Sequence, residues 1–175
     1  MRADITVQFI TAEPCVPAEN DILRWAGSAL DGKEGEVTIR ITDEDEMRSL
    51  NNKWRNIDRP TNVLSFPLHD AGGPLLGDTV DAGRGCGEQD SGGPMLGDMV
   101  ICAPVLSREA AQQGKSLDAH WAHLIIHGIL HLMGYDHSHE TEAETMEAKE
   151  TALLQDLGFP DPYSPVAAIC PDKTG

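Results

Sequence analysis

The histidines of this chain are concentrated in one short stretch. Six of the seven fall between positions 120 and 139, and three of them, His127, His131 and His137, follow the pattern H-x3-H-x5-H. His127 and His131 are one helical turn apart, so on an α-helix they project from the same face and can bind one metal ion. Gly134 predicts the end of that helix, because glycine tolerates the left-handed conformation of helix C-termini. The chain can then turn and bring His137 back towards the first two.

Three neutral imidazoles that leave a fourth position open for water are typical of a catalytic zinc site. The alternative, that these histidines are ordinary core or surface residues, suits a single histidine better than three at this spacing. We therefore predict one Zn²⁺ per chain, bound by His127, His131 and His137. The spacing equals that of the metzincin protease signature H-E-x-x-H-x-x-G-x-x-H, but Gly128 replaces the glutamate that serves as general base. Peptide hydrolysis is therefore disfavoured.

The spacing of hydrophobic residues predicts the strands and helices that must position these histidines. Predicted strands lie at 4–10, at 37–42, within 60–67 and at 99–102, and predicted helices at about 22–30, 43–54, 104–114, 116–133 and 141–157. This order predicts an α+β fold with a four-stranded sheet packed against helices. The helix over 116–133 is apolar nearly all round, apart from a stripe of four histidines, so we expect a core helix whose stripe lines a cleft. The first two of that stripe, His120 and His123, could support the ligands, relay protons or only face the cleft.

Several local features are specific enough to test. Ser116 is predicted to cap the histidine helix, and Thr141-x-x-Glu144 is predicted to form a capping box at the start of the last helix. The inward side of the helix over 43–54 is predicted to consist of Met47, Leu50 and Trp54. The inward side of the last helix is predicted to consist of Met146, Leu153, Leu154 and Leu157.

A glycine-rich segment interrupts the pattern between the third and fourth strands. Nine of the seventeen glycines lie in residues 71–97, where the sequence of 72–80 recurs at 92–100 with seven of nine positions identical. We interpret this as a local duplication that inserted a flexible loop at about 71–95, and only the second copy continues into a strand. The predicted organisation is one catalytic domain over 1–158, followed by a flexible tail over 159–175.

The overall composition restricts the function. The 175 residues, of which 40% are hydrophobic and 24% charged, predict one domain with a core of its own. No stretch is long and apolar enough to cross a bilayer, and no signal-peptide block opens the chain, so we expect a cytoplasmic protein without a membrane partner. The four scattered cysteines predict free thiols. The net charge of −16 disfavours indiscriminate nucleic-acid binding, so RNA binding would need a local basic patch or a partner.

Basic residues do cluster in one place. Four of the thirteen, Arg48, Lys53, Arg55 and Arg59, lie within twelve positions. Chance or helix-end electrostatics explains this cluster as well as a binding patch does, so charge alone leaves both interpretations open.

The stretch from His127 to His137 has the pattern H-G-x-L-H-L-x-G-Y-D-H, and it resembles the signature of the YbeY family of bacterial zinc-dependent endoribonucleases. The resemblance extends to Leu50-Asn51-x-x-Trp54-Arg55, to the stretch from Pro60 to Pro67, to Leu96-Gly97-Asp98 and to Met146-Glu147. It covers most of the chain except the glycine-rich insert and the tail. The insert departs from the family pattern.

The resemblance implies a mixed four-stranded sheet covered by helices and a single-strand-specific, metal-dependent endoribonuclease. Such an enzyme matures ribosomal RNA, including the 3′ end of the small-subunit RNA, and takes part in ribosome quality control. The implied partners are single-stranded ribosomal RNA, ribosomal particles and assembly proteins, but not DNA. His127, His131 and His137 would bind zinc, and Arg55 would face the cleft as the catalytic cation. Lys53 and Arg59 are further candidates for substrate binding.

The chemistry expected from these residues is zinc activation of water together with hydrogen bonds from Arg55 to the phosphate. The nucleophile could be zinc-activated hydroxide or the RNA 2′-hydroxyl, because no general base is evident. Two alternatives stay open, namely a zinc hydrolase of a peptide or ester and a non-catalytic, zinc-containing ribosome-assembly factor. The roles of Asp136 and of the duplicated segment are not determined by the sequence.

Overall fold

The computed structural model describes residues 3–67, 95–135 and 140–162. In chain order, its strands and helices are β1 (Asp4–Phe9), α1 (Glu19–Leu30), β2 (Glu36–Thr42), α2 (Glu44–Arg55), β3 (Val63–Pro67), β4 (Met95–Cys102), α3 (Ala103–Gln113), α4 (Leu117–Leu132) and α5 (Glu140–Asp156). None of the helices in these ranges is long and apolar enough to cross a membrane.

The four strands form one mixed sheet in the order β1-β2-β4-β3. β1 pairs with β2 and β2 with β4 in parallel, whereas β3 runs antiparallel to β4 at the edge. The prediction of an α+β fold with a four-stranded mixed sheet is therefore confirmed. The second copy of the duplicated segment continues into β4, as predicted, but the strand begins at Met95, four residues before the predicted start at Met99. The first copy and most of the predicted loop lie outside the described residues.

The two faces of the sheet support two separate cores, because successive side chains of a strand point to opposite faces. In β4, Met99 and Ile101 belong to the larger core, which the sheet forms with α1 and α4. Val100 and Cys102 belong to a smaller core with Met47 of α2. α2 therefore packs against the face of the sheet opposite to α4. This arrangement decides which side of the molecule each candidate residue occupies.

The histidine helix α4 lies in the larger core. Its first turn is capped as predicted, since the Ser116 hydroxyl accepts a hydrogen bond from the backbone N–H of Ala119. Gly128 is buried where α4 crosses the sheet, and a Cβ built there would lie 2.0 Å from Met99 Sδ and 3.3 Å from Ser65 Oγ. The glycine is therefore required for the close approach of the helix to β3 and β4.

Two predictions about helix faces need correction. Met47 is fully buried in α2 and Leu50 packs against the same core, as predicted, but Leu50 and Trp54 are only partly buried, and the helix also buries Asn51. The Asn51 side-chain N–H donates to the Arg59 carbonyl at 2.8 Å, which ties the loop after α2 to the helix. This hydrogen bond compensates for the burial of the amide N–H, although the Asn51 Oδ1 atom is buried without a hydrogen-bond partner among the described residues.

The start and the inward side of α5 also differ from expectation. The helix begins at Glu140, so Thr141 lies inside it and is not the capping residue. Met146 and Leu154 are buried as predicted, and Leu153 and Leu157 are partly buried. Glu150, which the apolar pattern did not select, is fully buried between them.

The first residues of the predicted tail contact the domain. Phe159 packs edge-on against Trp25, with ring centroids 5.9 Å apart. The Lys115 ammonium donates a hydrogen bond to the Pro162 carbonyl at 3.2 Å. Residues 163–175 lie outside the described residues.

Candidate metal centre

Four histidines follow one face of α4 and become more exposed towards its C-terminal end. The exposed fractions of the side chains of His120, His123 and His127 are 5%, 14% and 23%. His131, one turn further on, is also partly exposed. The stripe therefore starts in the core and reaches the surface near His127 and His131. The histidine stripe is therefore most accessible to a ligand from solvent at that end.

His127 and His131 face each other. Their Nε2 atoms are 3.1 Å apart, and the two rings are nearly perpendicular, with centroids separated by 4.6 Å. A tetrahedral zinc ion with bonds of 2.0–2.1 Å needs two ligand nitrogens ~3.3–3.4 Å apart. The two nitrogens are thus already close to the separation that one ion requires. This geometry fits the predicted use of both residues as metal ligands.

The buried carboxylate of Glu150 lies behind this pair. Its Oε1 is 2.5 Å from His127 Nδ1, and its Oε2 is 3.2 Å from His123 Nε2. A carboxylate only accepts hydrogen bonds, so His127 Nδ1 and His123 Nε2 are the donors. Sequence reasoning missed Glu150. The available signal was a carboxylate one turn from each of two inward apolar residues, Met146 and Leu154.

His120 contacts Glu109 of α3 and not Glu150. Its Nε2 is 2.9 Å from Glu109 Oε2 on α3, and the Asn62 side-chain N–H donates to the same carboxylate at 3.3 Å. Burial lowers the pKa of His120, and the hydrogen bond and charge of Glu109 only partly oppose this effect. His120 therefore joins α3 and α4 and does not point at the His127–His131 pair.

The third predicted ligand, His137, lies outside the described residues. Within the described ranges, no group of three or more histidine, cysteine, aspartate or glutamate residues is arranged to hold a metal ion. The helix does end before His137 as predicted. Gly134 has a φ of 95°, its N–H donates to the His131 carbonyl, and the Tyr135 N–H donates to the Leu130 carbonyl. This pair of bonds is the Schellman arrangement, which satisfies the last helical carbonyls and ends the helix.

The basic candidates lie together elsewhere. Lys53, Arg55 and Arg59 are exposed at the C-terminal end of α2 and in the loop that follows it. The Lys53 ammonium lies 4.6 Å from the centroid of the Trp54 ring. Arg48, which belongs to the same cluster in the sequence, forms a two-pronged ion pair with Asp58. The structure therefore leaves three of the four clustered cations as candidates for substrate contact.

The histidines and the cations are connected through the edge strand β3. Trp54 packs edge-on against Phe66 of β3, at a centroid distance of 6.2 Å. The adjacent Ser65 hydroxyl is 3.5 Å from the Gly128 carbonyl of α4. The cation cluster and the histidine pair therefore lie on opposite faces of the sheet near the same edge. In the part of the chain that the structure describes, no hydrogen bond or ion pair joins Arg55 to either histidine.

Comparison with known proteins identifies the family. The sequence model described as Endoribonuclease YbeY matches residues 13–158. The chain belongs to the endoribonuclease YbeY family. A YbeY of Stutzerimonas stutzeri is 52% identical over 166 residues, which is 90% of this chain and 91% of that protein. A YbeY of Nitrosococcus oceani is 43% identical over 173 residues, which is 95% of this chain and all of that protein. Both carry the name Endoribonuclease YbeY.

The fold has also been seen in a solved structure. The solution structure of TM1509 from Thermotoga maritima matches with a TM-score of 0.50 and 20% identity, over 87% of this chain and 92% of that one. This likeness concerns the fold alone. The YbeY match spans every described helix and strand from α1 to α5, so the resemblance first seen in the histidine motif extends over the described elements of the fold apart from β1.

Proposed function

We propose that this protein is a zinc-dependent endoribonuclease that cleaves single-stranded RNA during ribosomal RNA maturation, including the 3′ end of the small-subunit RNA. Membership of the YbeY family supports the ribonuclease activity. The observation that carries the metal dependence is the pair of Nε2 atoms, 3.1 Å apart at the exposed end of α4. A role in ribosome quality control belongs to the same proposal.

His127 and His131 would hold the metal through Nε2, and His137 would be the third ligand. A bound zinc ion supplies a Lewis acid that polarises a phosphoryl oxygen and activates water near neutral pH. His127 offers a lone pair on Nε2, because its Nδ1 donates to Glu150. Core packing around α4 holds both rings on one helix, so the relative geometry of these two proposed ligands does not depend on a loop.

The packing of Gly128 supports a substrate other than a peptide. Zinc proteases with this histidine spacing have their general base at the corresponding position. Here a Cβ at position 128 would lie 2.0 Å from Met99 Sδ, so a glutamate fits only if the Met99 side chain, the helix or the sheet is displaced. The general-base carboxylate that a peptide or ester hydrolase would use is therefore missing at position 128.

Arg55 is the proposed cation for the phosphate, and Lys53 and Arg59 are proposed to bind the RNA strand. All three are exposed in a chain with a net charge of −16. A guanidinium can donate paired hydrogen bonds to a phosphate as negative charge builds up in the transition state. The small size of this basic patch favours assistance by ribosomal particles or assembly proteins. The expected cytoplasmic location and the absence of DNA and membrane partners stay predictions.

The test is cleavage of labelled single-stranded RNA by zinc-loaded, metal-stripped and His127→Ala protein, with casein as the peptide substrate. We expect RNA cleavage only by the zinc-loaded wild type and no casein cleavage. Equal RNA cleavage after stripping would contradict metal dependence. Cleavage of casein alone would favour the protease alternative. Zinc binding with activity on neither substrate, free or in ribosomal particles, would favour the non-catalytic assembly factor.

The role of Arg55 is tested separately with Arg55→Ala. We expect cleavage to slow by about 10²–10³-fold with zinc content unchanged, as for the loss of one transition-state donor. Arg24→Ala is the matched control, because Arg24 is 60% exposed on α1 and has no assigned role. Wild-type cleavage by zinc-loaded Arg55→Ala would remove Arg55 from the mechanism.

A further inference from the structure

The burial of Glu150 needs an explanation. It occupies the inward face of α5 between Met146 and Leu154, one turn to either side, and its exposed fraction is 0%. Transfer of an ionised carboxylate from water to a protein interior is unfavourable unless hydrogen bonds compensate it. A leucine at this position would continue the apolar row of the helix. The partners of the carboxylate therefore indicate why it is there.

Both carboxylate oxygens contact imidazoles of α4. Oε1 accepts from His127 Nδ1 at 2.5 Å, and Oε2 accepts from His123 Nε2 at 3.2 Å. His123 and His127 are one turn apart, with rings inclined at 74°. Glu150 thus bridges two consecutive turns of the histidine helix from the neighbouring helix.

The bond to His127 has a chemical consequence. A neutral imidazole carries one proton, and the bond to Glu150 places it on Nδ1. The lone pair is then on Nε2, the atom that lies 3.1 Å from His131 Nε2. Hydrogen bonds of this kind select the tautomer of a metal-binding histidine, orient its ring and raise its basicity.

We propose that Glu150 is a positioning residue that holds His127 in the metal-binding tautomer and orientation, and that His123 positions Glu150. His123 does this by occupying the second oxygen, which prevents the carboxylate from rotating away from His127. The function of His123, which the sequence left open, is then exerted through Glu150 and not by contact with the metal or the RNA. This inference rests on the proposed zinc site.

The first test is zinc affinity, measured by competition with a chromophoric chelator. Glu150→Gln keeps the volume of the side chain but removes its charge and one acceptor oxygen. We expect the zinc dissociation constant to rise about 10–100-fold, as for other losses of such a carboxylate. Glu147→Gln, on the exposed side of the same helix, is the matched control and should bind zinc like the wild type. His123→Ala should give a smaller loss than Glu150→Gln.

Wild-type affinity in a folded Glu150→Gln protein would overturn the proposal. An equal loss in Glu147→Gln would also overturn it, because the effect would then come from overall charge. A fall in thermal stability of metal-free Glu150→Gln without a change in zinc affinity would assign Glu150 a purely structural role and refute the inference.

The second test does not depend on metal binding or on any variant. Nitrogen-15 NMR of the metal-free wild-type protein at mildly alkaline pH reports which ring nitrogen of His127 carries the proton. We expect Nδ1 to be protonated and Nε2 to be bare. A proton on Nε2 would overturn the proposal. If the wild type binds no zinc, the proposed metal function fails, and the NMR result still decides whether Glu150 sets the tautomer of His127.

Discussion

Gly128 is the position where a single added methyl group tests the packing of the histidine helix. In Gly128→Ala the new Cβ would lie 2.0 Å from Met99 Sδ, 3.2 Å from Met99 Cγ and 3.3 Å from Ser65 Oγ. Met99 is fully buried in the larger core, so its side chain can clear the added methyl group only by repacking against its neighbours. Helix α4 must therefore move away from the sheet, or Met99 must adopt a strained conformation.

The magnitude follows from two opposing effects. Overpacking of a core destabilises by ~1–3 kcal/mol, and so severe an overlap belongs at the upper end of that range. Replacement of a helical glycine by alanine stabilises by about 1 kcal/mol. The expected net loss in the free energy of unfolding is therefore about 2 kcal/mol. For a chain of this length, that loss corresponds to a decrease in melting temperature of roughly 4–8 °C.

Urea unfolding of the metal-free protein measures this free energy directly. Gly27→Ala in α1 is the matched control, because a Cβ there meets no atom within 4 Å. The control should be more stable than the wild type by about 0.5–1 kcal/mol. A second check is Gly128→Ala in a Met99→Ala background, where the added methyl group should no longer destabilise. If Gly128→Ala were as stable as Gly27→Ala, the proposed close contact between helix and sheet would be refuted.

Two further predictions concern the same helix. Ser116→Ala removes the N-terminal cap and should lower the free energy of unfolding by about 1 kcal/mol, measured by urea unfolding. Ser49→Ala is the control, because the Ser49 hydroxyl donates to the Asp45 carbonyl one turn back and caps no helix, so its loss should have little effect. Equal losses of stability in the two variants would contradict the capping role of Ser116. Burial lowers the pKa of His120 in the folded protein below its usual 6.5. At a pH between the folded and the unfolded pKa, the unfolded chain therefore binds more protons than the folded one. The free energy of unfolding consequently falls as the pH drops below about 6.5. His120→Gln should show a smaller decrease than the wild type in urea unfolding across this range, and an unchanged decrease would exclude His120 as its cause.

The periodic features of the chain were predictable because they depend on neighbours in the sequence. All five residues that form the apolar stripe of α1, namely Ile22, Trp25, Ala26, Ala29 and Leu30, are buried. The alternation in β2, the end of α3 at Gly114 and the cap at Ser116 also follow the sequence. In each case the backbone repeat or a local hydrogen bond alone decides the outcome.

The errors occur where one element meets another. Asn51 is buried because its side chain bonds to a carbonyl of the following loop, whereas the apolar pattern selected Leu50 and Trp54. The strand order places α2 and α4 on opposite faces of the sheet. Arg55, at the end of α2, and the histidines of α4 therefore belong to helices on opposite faces of the sheet, which the spacing along the chain did not indicate.

The amino-acid sequence by itself determined the pairing of His127 with His131, because one helical turn separates them whatever surrounds the helix. Only the tertiary structure decided which nitrogen of His127 is available to bind a metal ion, because Nδ1 is bonded to Glu150. Glu150 lies 23 residues away in the sequence and reaches the ring because α5 packs against α4. Tertiary packing also explains why position 128 is glycine, because the sheet leaves no room for a side chain there. Local spacing thus brings together the two histidines proposed as ligands, whereas contacts between distant elements orient the ring of His127.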